Sequence, residues 1–546
     1  MPQYTSQGLI QGIVEECHVQ FNQLPKHGKP SRKSNGQAEW TILAGIVATT
    51  PTRHPTVQNT DADTDSSFNN DDATSGSWDV ECISLATGSK CLSQGKLSPR
   101  GDLVNDCHAE VLARRGFNRW CLQEMQACIS RPENSKNKFR YIGDRDAASE
   151  ESPLFELVDP RTQFHLYVSQ APCGDATTAS LAETQSTESR NAFLSGQKSL
   201  AKTQENVQKS EKEENQGQTH QIAGSKHPRD TAGTELADTS SLKHPKLDAA
   251  LTSVQGRDLG ASANMRECDH ILGFRRGRID YDSVGVLRTK PGRVDSEPTM
   301  SMSCSDKIAR WNILGLTSAV VAPFLKPIFL RSVITRELFD ASALERALFD
   351  RIQQCACQGS ANASDKSDSN KVSYTPHHVE LYEGAIPFDF SRETISTQNG
   401  KDGVSVPPVA SSSSISWIAS EPSTAEVLIN GCKAGASAKQ PIQAKSRSRL
   451  CKINIFNSSV SLWRSIPETV LDRSKNNNLV QCMVRPNTVK EVGAKMEDIT
   501  YGEWKRMAKG YNTNKEHLFQ GIFRNWIRGD KTLEQFNING DSQIKS

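Results

Sequence analysis

Three short stretches, far apart in the chain, hold the residue types from which a hydrolytic metal centre is made. They are His108-Ala109-Glu110, Pro172-Cys173-Gly174-Asp175 and Ser303-Cys304-Ser305-Asp306-Lys307. Together they offer one imidazole, two thiolates and a carboxylate that is not needed as a ligand. A zinc centre that deaminates a base requires that set: three protein ligands, a fourth position for water, and a glutamate to move protons. A structural zinc site more usually closes with four protein ligands. The compact deaminase signature places both cysteines in one short turn. Here Cys173 is followed by Gly174, Asp175 and Ala176, so the third ligand must come from elsewhere, and Cys304 is the candidate.

Taken singly, each of these signals is weak. A free cysteine is most often a buried apolar thiol. A second His-x-Glu, at His378 and Glu380, has no suitable cysteine motif after it and reads as coincidence. Placement strengthens the set. His108 lies at the start of a predicted helix, Cys173 just past a predicted strand, and Cys304 just before another helix; helix N-termini favour the thiolate. Only Ala109 separates His108 from Glu110, so both can reach one cleft. Zinc lowers the pKa of a bound water to about 7. Glu110 would take its proton and deliver it to the purine ring and departing amine, turning adenosine into inosine.

The elements that must position these residues follow from periodicity. Strands are predicted over 40–47, 78–85 and 164–169, and helices over 107–123, 306–316, 343–353 and 504–526. Ile10, Ile13, Val14, Cys17 and Phe21 recur at helical spacing near the N-terminus. Alternating strands and helices define an α/β layered fold. The runs 52–77, 178–263, 359–370 and 391–414 are polar and poor in aromatics, too polar to offset the entropy of ordering. They read as disordered insertions in one domain spanning 1–546.

Only 36% of the 546 residues are hydrophobic, and the formal charge of +2 neither demands nor excludes nucleic acid. Fourteen cysteines without a secretory leader indicate a reducing, intracellular compartment. The apolar run 313–330 is interrupted by Pro323, Lys326 and Pro327, which argues against a membrane span. The basic residues of 445–449 and the pair Lys243 and Lys246 are too sparse to separate cytoplasm from nucleus. Nothing calls for an obligate protein partner.

The chain closely resembles the adenosine deaminases that act on RNA, and within them the tRNA-specific branch. The resemblance lies in 86–91, 105–110 with Arg114 and Arg115, 164–168 leading to 172–175, 287–293 and 302–312, with Tyr501, Lys505, Tyr511 and Lys515 towards the C-terminus. It implies a cytidine-deaminase-like three-layer core, a mixed sheet with helices on both faces. It also implies hydrolytic deamination of the adenosine immediately 3′ of the anticodon in alanine tRNA. An anticodon stem-loop already displays its bases outside a duplex, so little flipping energy is needed. Relatives with double-stranded targets carry RNA-binding domains before the catalytic block, and the short segment ahead of Trp40 leaves no room for one. Expected RNA contacts are Ser89, Lys90, and the basic loop of Arg288, Lys290 and Arg293. Some RNA-editing relatives have an arginine where this chain has Thr177.

The resemblance further implies inositol hexakisphosphate enclosed near the zinc. Its ligands here would be Asn105, Arg114, Arg115, Lys307, Arg310, Lys452, Tyr501, Lys505, Tyr511, Lys515 and Trp526. Such a polyanion would neutralise cations that are costly on core helices. After Trp526 the chain reads Ile527, Arg528 and Gly529, where relatives can have charged ligands. Competing readings are an editor of double-stranded mRNA, a cytidine deaminase, and a catalytically silent RNA-binding scaffold. The first lacks accessory domains, the second its compact cysteine pair, and the third is disfavoured by intact Glu110 and all three ligands.

Overall fold

The computed structural model describes residues 3–4, 6–52, 76–142, 154–178, 180, 274–275, 277, 281, 283–290, 297–353, 374–401, 406–437, 441–466 and 496–541. Helix α1 (Ser6–Gln23) leads into strands β1 (Leu43–Pro51) and β2 (Gly76–Thr87), then the short pair β3 (Ser89–Cys91) and β4 (Asp106–His108). Helix α2 (Ala109–Ser130), strand β5 (Gln163–Gln170), helix α3 (Cys304–Leu314) and strand β6 (Leu330–Glu337) complete the part that carries the site. Further on come helix α4 (Ala341–Glu345), β7 (Glu380–Glu383), α5 (Arg392–Lys401), and the strands β8 (Ser413–Ile418), β9 (Glu426–Ile429) and β10 (Cys432–Lys433). Helices α6 (Lys452–Ser465), α7 (Tyr501–Arg506) and α8 (Lys509–Gln520) close the order.

One sheet runs β7-β6-β5-β1-β2-β8-β9-β10, with Gln3–Tyr4 added beside β2. The pairs β7/β6 and β6/β5 are parallel and the others antiparallel, so the sheet is mixed. Side chains alternate between its faces as strand geometry requires. Ala44, Ile46, Ile83, Leu166 and Val333 join the core under α2, α3 and α6, while Val47, Leu85, Tyr167 and Ile334 join the core under α1. On α1, Ile10, Ile13, Val14, Cys17 and Phe21 are all buried. The observed core is the expected α/β arrangement with helices on both faces.

Two expectations need correction. The run 391–414 was expected as a disordered insertion, yet it holds α5, the pair of Val409–Ala410 with Glu39–Trp40, and the start of β8. Its polar groups do structural work that composition hides. Ser391 Oγ accepts from the backbone N–H of Thr394, the backbone N–H of Glu393 donates to the Glu337 carboxylate outside the run, and Ser414 Oγ donates to Cys107 O. The expected helix over 504–526 is broken after Arg506, because Asn512 Nδ2 donates to the carbonyls of Lys505 and Ala508. The other three polar runs fall almost wholly outside the described residues.

His165 ties three strands together: Nε2 lies 2.9 Å from Thr49 Oγ1 and Nδ1 lies 2.8 Å from Ser332 Oγ. Burial lowers its pKa to about 4. The fold keeps the neutral ring, so the stability it contributes is complete above the unfolded value of about 6.5 and is lost as pH falls through 4, roughly 3 kcal/mol in all. Urea unfolding of His165→Gln is therefore expected to lose less stability than the wild type across that interval.

Candidate active site

His108 ends β4 and is the N-cap residue of α2, which puts Glu110 in that helix's first turn. Asp106 Oδ1 accepts from the His108 backbone N–H at 3.0 Å, fixing this corner. Cys173 follows β5, and Cys304 is the first residue of α3. Ser305 staples the two cysteine segments: its N–H donates to Cys173 O, and its hydroxyl lies within hydrogen-bond distance of Pro172 O and Cys173 O. Gly174 has φ +113°, and a Cβ there would fall 2.2 Å from Ser303 Oγ, so only glycine lets the two segments meet.

The ligand atoms of His108, Cys173 and Cys304 lie within 4.8 Å of one another. The imidazole presents Nδ1, 3.8 Å from Cys173 Sγ and 3.7 Å from Cys304 Sγ. A tetrahedral zinc bonded at about 2.3 Å to sulfur and about 2.05 Å to nitrogen would separate N from S by about 3.6 Å. The donor set therefore fits zinc in chemistry and in spacing. Glu110 is buried, and its Oε2 has no hydrogen-bond partner among the described residues. Burial raises its pKa, with His108 and Lys290 pulling against that shift. A carboxylate so placed is suited to taking and returning a proton.

Lys290 overturns an expectation. It was expected to contact RNA, but it is fully buried, with Nζ 2.8 Å from Cys304 Sγ and 3.7 Å from Cys173 Sγ. Its ammonium is also 3.5 Å from Asp106 Oδ2, which in turn pairs with Lys307 and accepts from Ser301 Oγ. Burial alone would raise the Asp106 pKa, yet the two lysines hold it far below the usual carboxylate range. The cause of the misreading is pairing. Residues 288–290 run alongside 301–303, bonded Lys290 N–H to Ser301 O and Ser303 N–H to Arg288 O, and this turns Lys290 inward. Arg288 is likewise buried, donating to Ser283 O, and Arg293 lies outside the described residues. Of the expected RNA contacts, Lys90 is exposed on β3, and Ser89 is half-buried opposite His108. Thr177 is buried in the turn after Cys173, so it offers nothing to a phosphate.

Sequence reasoning also missed a clamp. Asp175 and Asp306, each two residues past a ligand cysteine, are fully buried. Arg346 Nε lies 3.2 Å from Asp175, and Arg351 Nη1 lies 2.6 Å from Asp306. Both arginines belong to the π turn Arg346–Asp350 and the residue after it. Closing a turn by i→i+5 bonds brings residues five apart towards one face, so one insertion grips both cysteine segments. Arg351→Met would strand the Asp306 charge and is expected to cost roughly 3 kcal/mol, measurable by denaturant unfolding.

Next to this centre lies a second constellation. Arg114, Arg115, Arg310, Lys452, Lys505 and Lys515 gather with Tyr501, Tyr511 and Trp526, with Glu534 as the acid among them. The Nε atoms of Arg114 and Arg310 are buried without a partner among the described residues. Burial and neighbouring cations lower Lys452 and Lys515 to about 8. An excess of half-buried positive charge of this kind fits a polyanion. Lys307 is drawn instead towards Asp106, and Asn105 sits beside it with its backbone carbonyl bonded to Leu92.

Residues 84–530 match the adenosine-deaminase (editase) domain family, and the chain belongs to it. It is 26% identical over 551 residues to tRNA-specific adenosine deaminase 1 of Mus musculus, spanning 96% of this chain and 99% of that protein. The human protein of the same name is 25% identical over 561 residues, with the same coverage. The double-stranded RNA-specific adenosine deaminase of Rattus norvegicus is 24% identical over 460 residues, 84% of this chain but 29% of that protein.

Proposed function

We propose that this protein hydrolyses adenosine to inosine in tRNA, at the adenosine immediately 3′ of the anticodon (position 37) of alanine tRNA. The observation that carries the reading is the convergence of one imidazole and two thiols beside a buried glutamate whose Oε2 has no hydrogen-bond partner among the described residues. The tRNA assignment is supported by the nearly full-length likeness to proteins named for tRNA. Bound by His108 Nδ1, Cys173 and Cys304, zinc would supply the Lewis acidity that lets a water lose a proton near neutral pH. Glu110 accepts that proton and gives it to the purine ring nitrogen, then carries the proton of the newly added hydroxyl to the departing amino group, so adenosine and water become inosine and ammonia. Lys290 balances the charge of the sulfurs, and Ser305 with the two arginines holds the sulfurs in register. The basic pocket of Arg114, Arg115, Arg310, Lys452, Lys505 and Lys515 would hold inositol hexakisphosphate, which would neutralise those cations.

Sequencing tRNA treated with the purified protein tests the reading: adenosine-to-guanosine changes are expected next to the anticodon of alanine tRNA. Conversion of a long RNA duplex, with tRNA left untouched, would overturn it.

A further inference from the structure

Between α1 and the sheet the chain turns through Pro25-Lys26-His27-Gly28-Lys29-Pro30-Ser31-Arg32-Lys33, four cations and a histidine without an acid. Lys26, His27, Arg32 and Lys33 are exposed. None has a part in the site described above. The loop is nonetheless firmly held. Lys33 N–H donates to Gln37 O, Gly36 N–H to Lys33 O, Glu39 N–H to Ser31 O, and Ser413 Oγ to Gly28 O, all at 2.9 Å.

A simpler role for these cations is to complement the C-terminal end of α1. Lys29 does this: its ammonium bonds Asn22 O and lies over the Phe21 ring. Lys26 does not, and it has no side-chain partner among the described residues. Arg32 is spent on Gly36 O and Asn399, neither of them charged. Lys33 has Glu39 at 3.7 Å, but the lysine is 43% exposed, so the pair leaves most of its field in solvent.

Location decides what this charge can meet. Gln3–Tyr4 pairs with the start of β2, so α1 begins at the far end of the sheet and delivers the loop to the end that holds the ligand cluster. Two hydrogen-bonded paths then join the loop to His108. The chain enters β1 through Ile42, whose carbonyl accepts from Gly88 N–H, and Gly88 O accepts from Ala109 N–H. On the other flank Ser413 holds Gly28 while its neighbour Ser414 bonds Cys107 O. Exposed Lys90 lies on the same rim, opposite Cys107.

We propose that the loop 25–33 is a docking surface for the phosphates of the RNA stem that flanks the target adenosine, a reading that rests on the proposed RNA deaminase activity. Phosphate contacts need like charges on a fixed frame and no apolar centre, and they set register without reading sequence. A protein partner would want an aromatic or aliphatic anchor, and this loop exposes none.

The test uses the full chain carrying Lys26→Glu with Lys33→Glu. Binding to an unmodified tRNA transcript is measured against KCl concentration, and turnover is measured on the same RNA. The slope of log Kd against log salt is expected to fall by about two, about one per lost contact. KM should rise by about tenfold or more, with kcat at saturating RNA within about twofold. The milder pair Lys26→Gln with Lys33→Gln should shift both in the same direction, which keeps the test alive if charge reversal disturbs folding. Unchanged affinity and slope in a variant that unfolds like the wild type would overturn the proposal. So would loss of binding to anionic phospholipid vesicles with the RNA slope intact, which would assign the loop to a membrane surface. A loop-dependent salt slope in a protein that deaminates no transcript would uphold the docking surface and reject the tRNA reading.

Discussion

Glu110→Gln is expected to leave the fold and the ligand set intact while lowering inosine formation by about 10² to 10⁴-fold, the usual worth of a positioned proton carrier. Glutamine keeps the volume of a side chain that is only 1% exposed, so nothing around it must repack. What disappears is the group that accepts the water's proton. Because burial already disfavours the Glu110 carboxylate, the neutral amide should unfold at the same temperature as the wild type or a higher one, the gain expected when a strained functional group is removed. Elemental analysis should find zinc retained in Glu110→Gln and lost in His108→Ala. Turnover within about twofold of wild type in the glutamine variant would remove Glu110 from the chemistry.

The second large effect concerns the basic pocket. Six cations are gathered there around Glu534, and Lys452 and Lys515 are lowered to about 8 and Arg114 to about 10, with burial the largest cause. A lysine whose folded pKa lies below its unfolded value of about 10.4 weakens the fold most below the lower figure, and that deficit shrinks as pH rises towards the higher one. A bound polyphosphate reverses the sign by favouring the charged lysines. Inositol hexakisphosphate is therefore expected to raise thermal stability strongly at pH 7, by about 4 kcal/mol at a thousandfold excess over Kd. Its benefit should fade as pH climbs past 8. Protein made in cells that lack highly phosphorylated inositols should be unstable, and equal melting with and without the polyphosphate at both pH values would reject this pocket.

The ligand cluster was legible because each member sits in a short motif whose residue types have few other uses together. The α/β core was legible too, since the short apolar runs at 43–48 and 164–168 and the helical spacing of Ile10 to Phe21 are properties of the strand and helix themselves. Lys290 was not. A lysine among Arg288, Pro291 and Arg293 reads as solvated, and only the facing strand at 301–303 reveals that it turns inward. A signal existed in principle, because two cysteines that bind a metal as thiolates call for a counter-charge, but many lysines could have supplied it. Composition misjudged 391–414 because serine and asparagine are counted as loop formers even where they cap helices or close pairing. The π turn left no trace in the sequence, since its two arginines look like an ordinary charged helix face.

The order in which the chain leaves the ribosome gives the C-terminal helices an unusual burden. Trp504 packs on Phe456 and bonds Ser459, and Tyr501 stacks on Phe536, so the wall that carries Lys505, Tyr511 and Lys515 docks only after everything before residue 500 has been synthesised. Until then Arg114 and Arg115, one helical turn beyond His108 and Glu110, lack that wall around whatever anion is to neutralise them. A premature stop a few dozen codons early would spare His108, Cys173 and Cys304 and still remove the wall that carries Lys505, Tyr511 and Lys515.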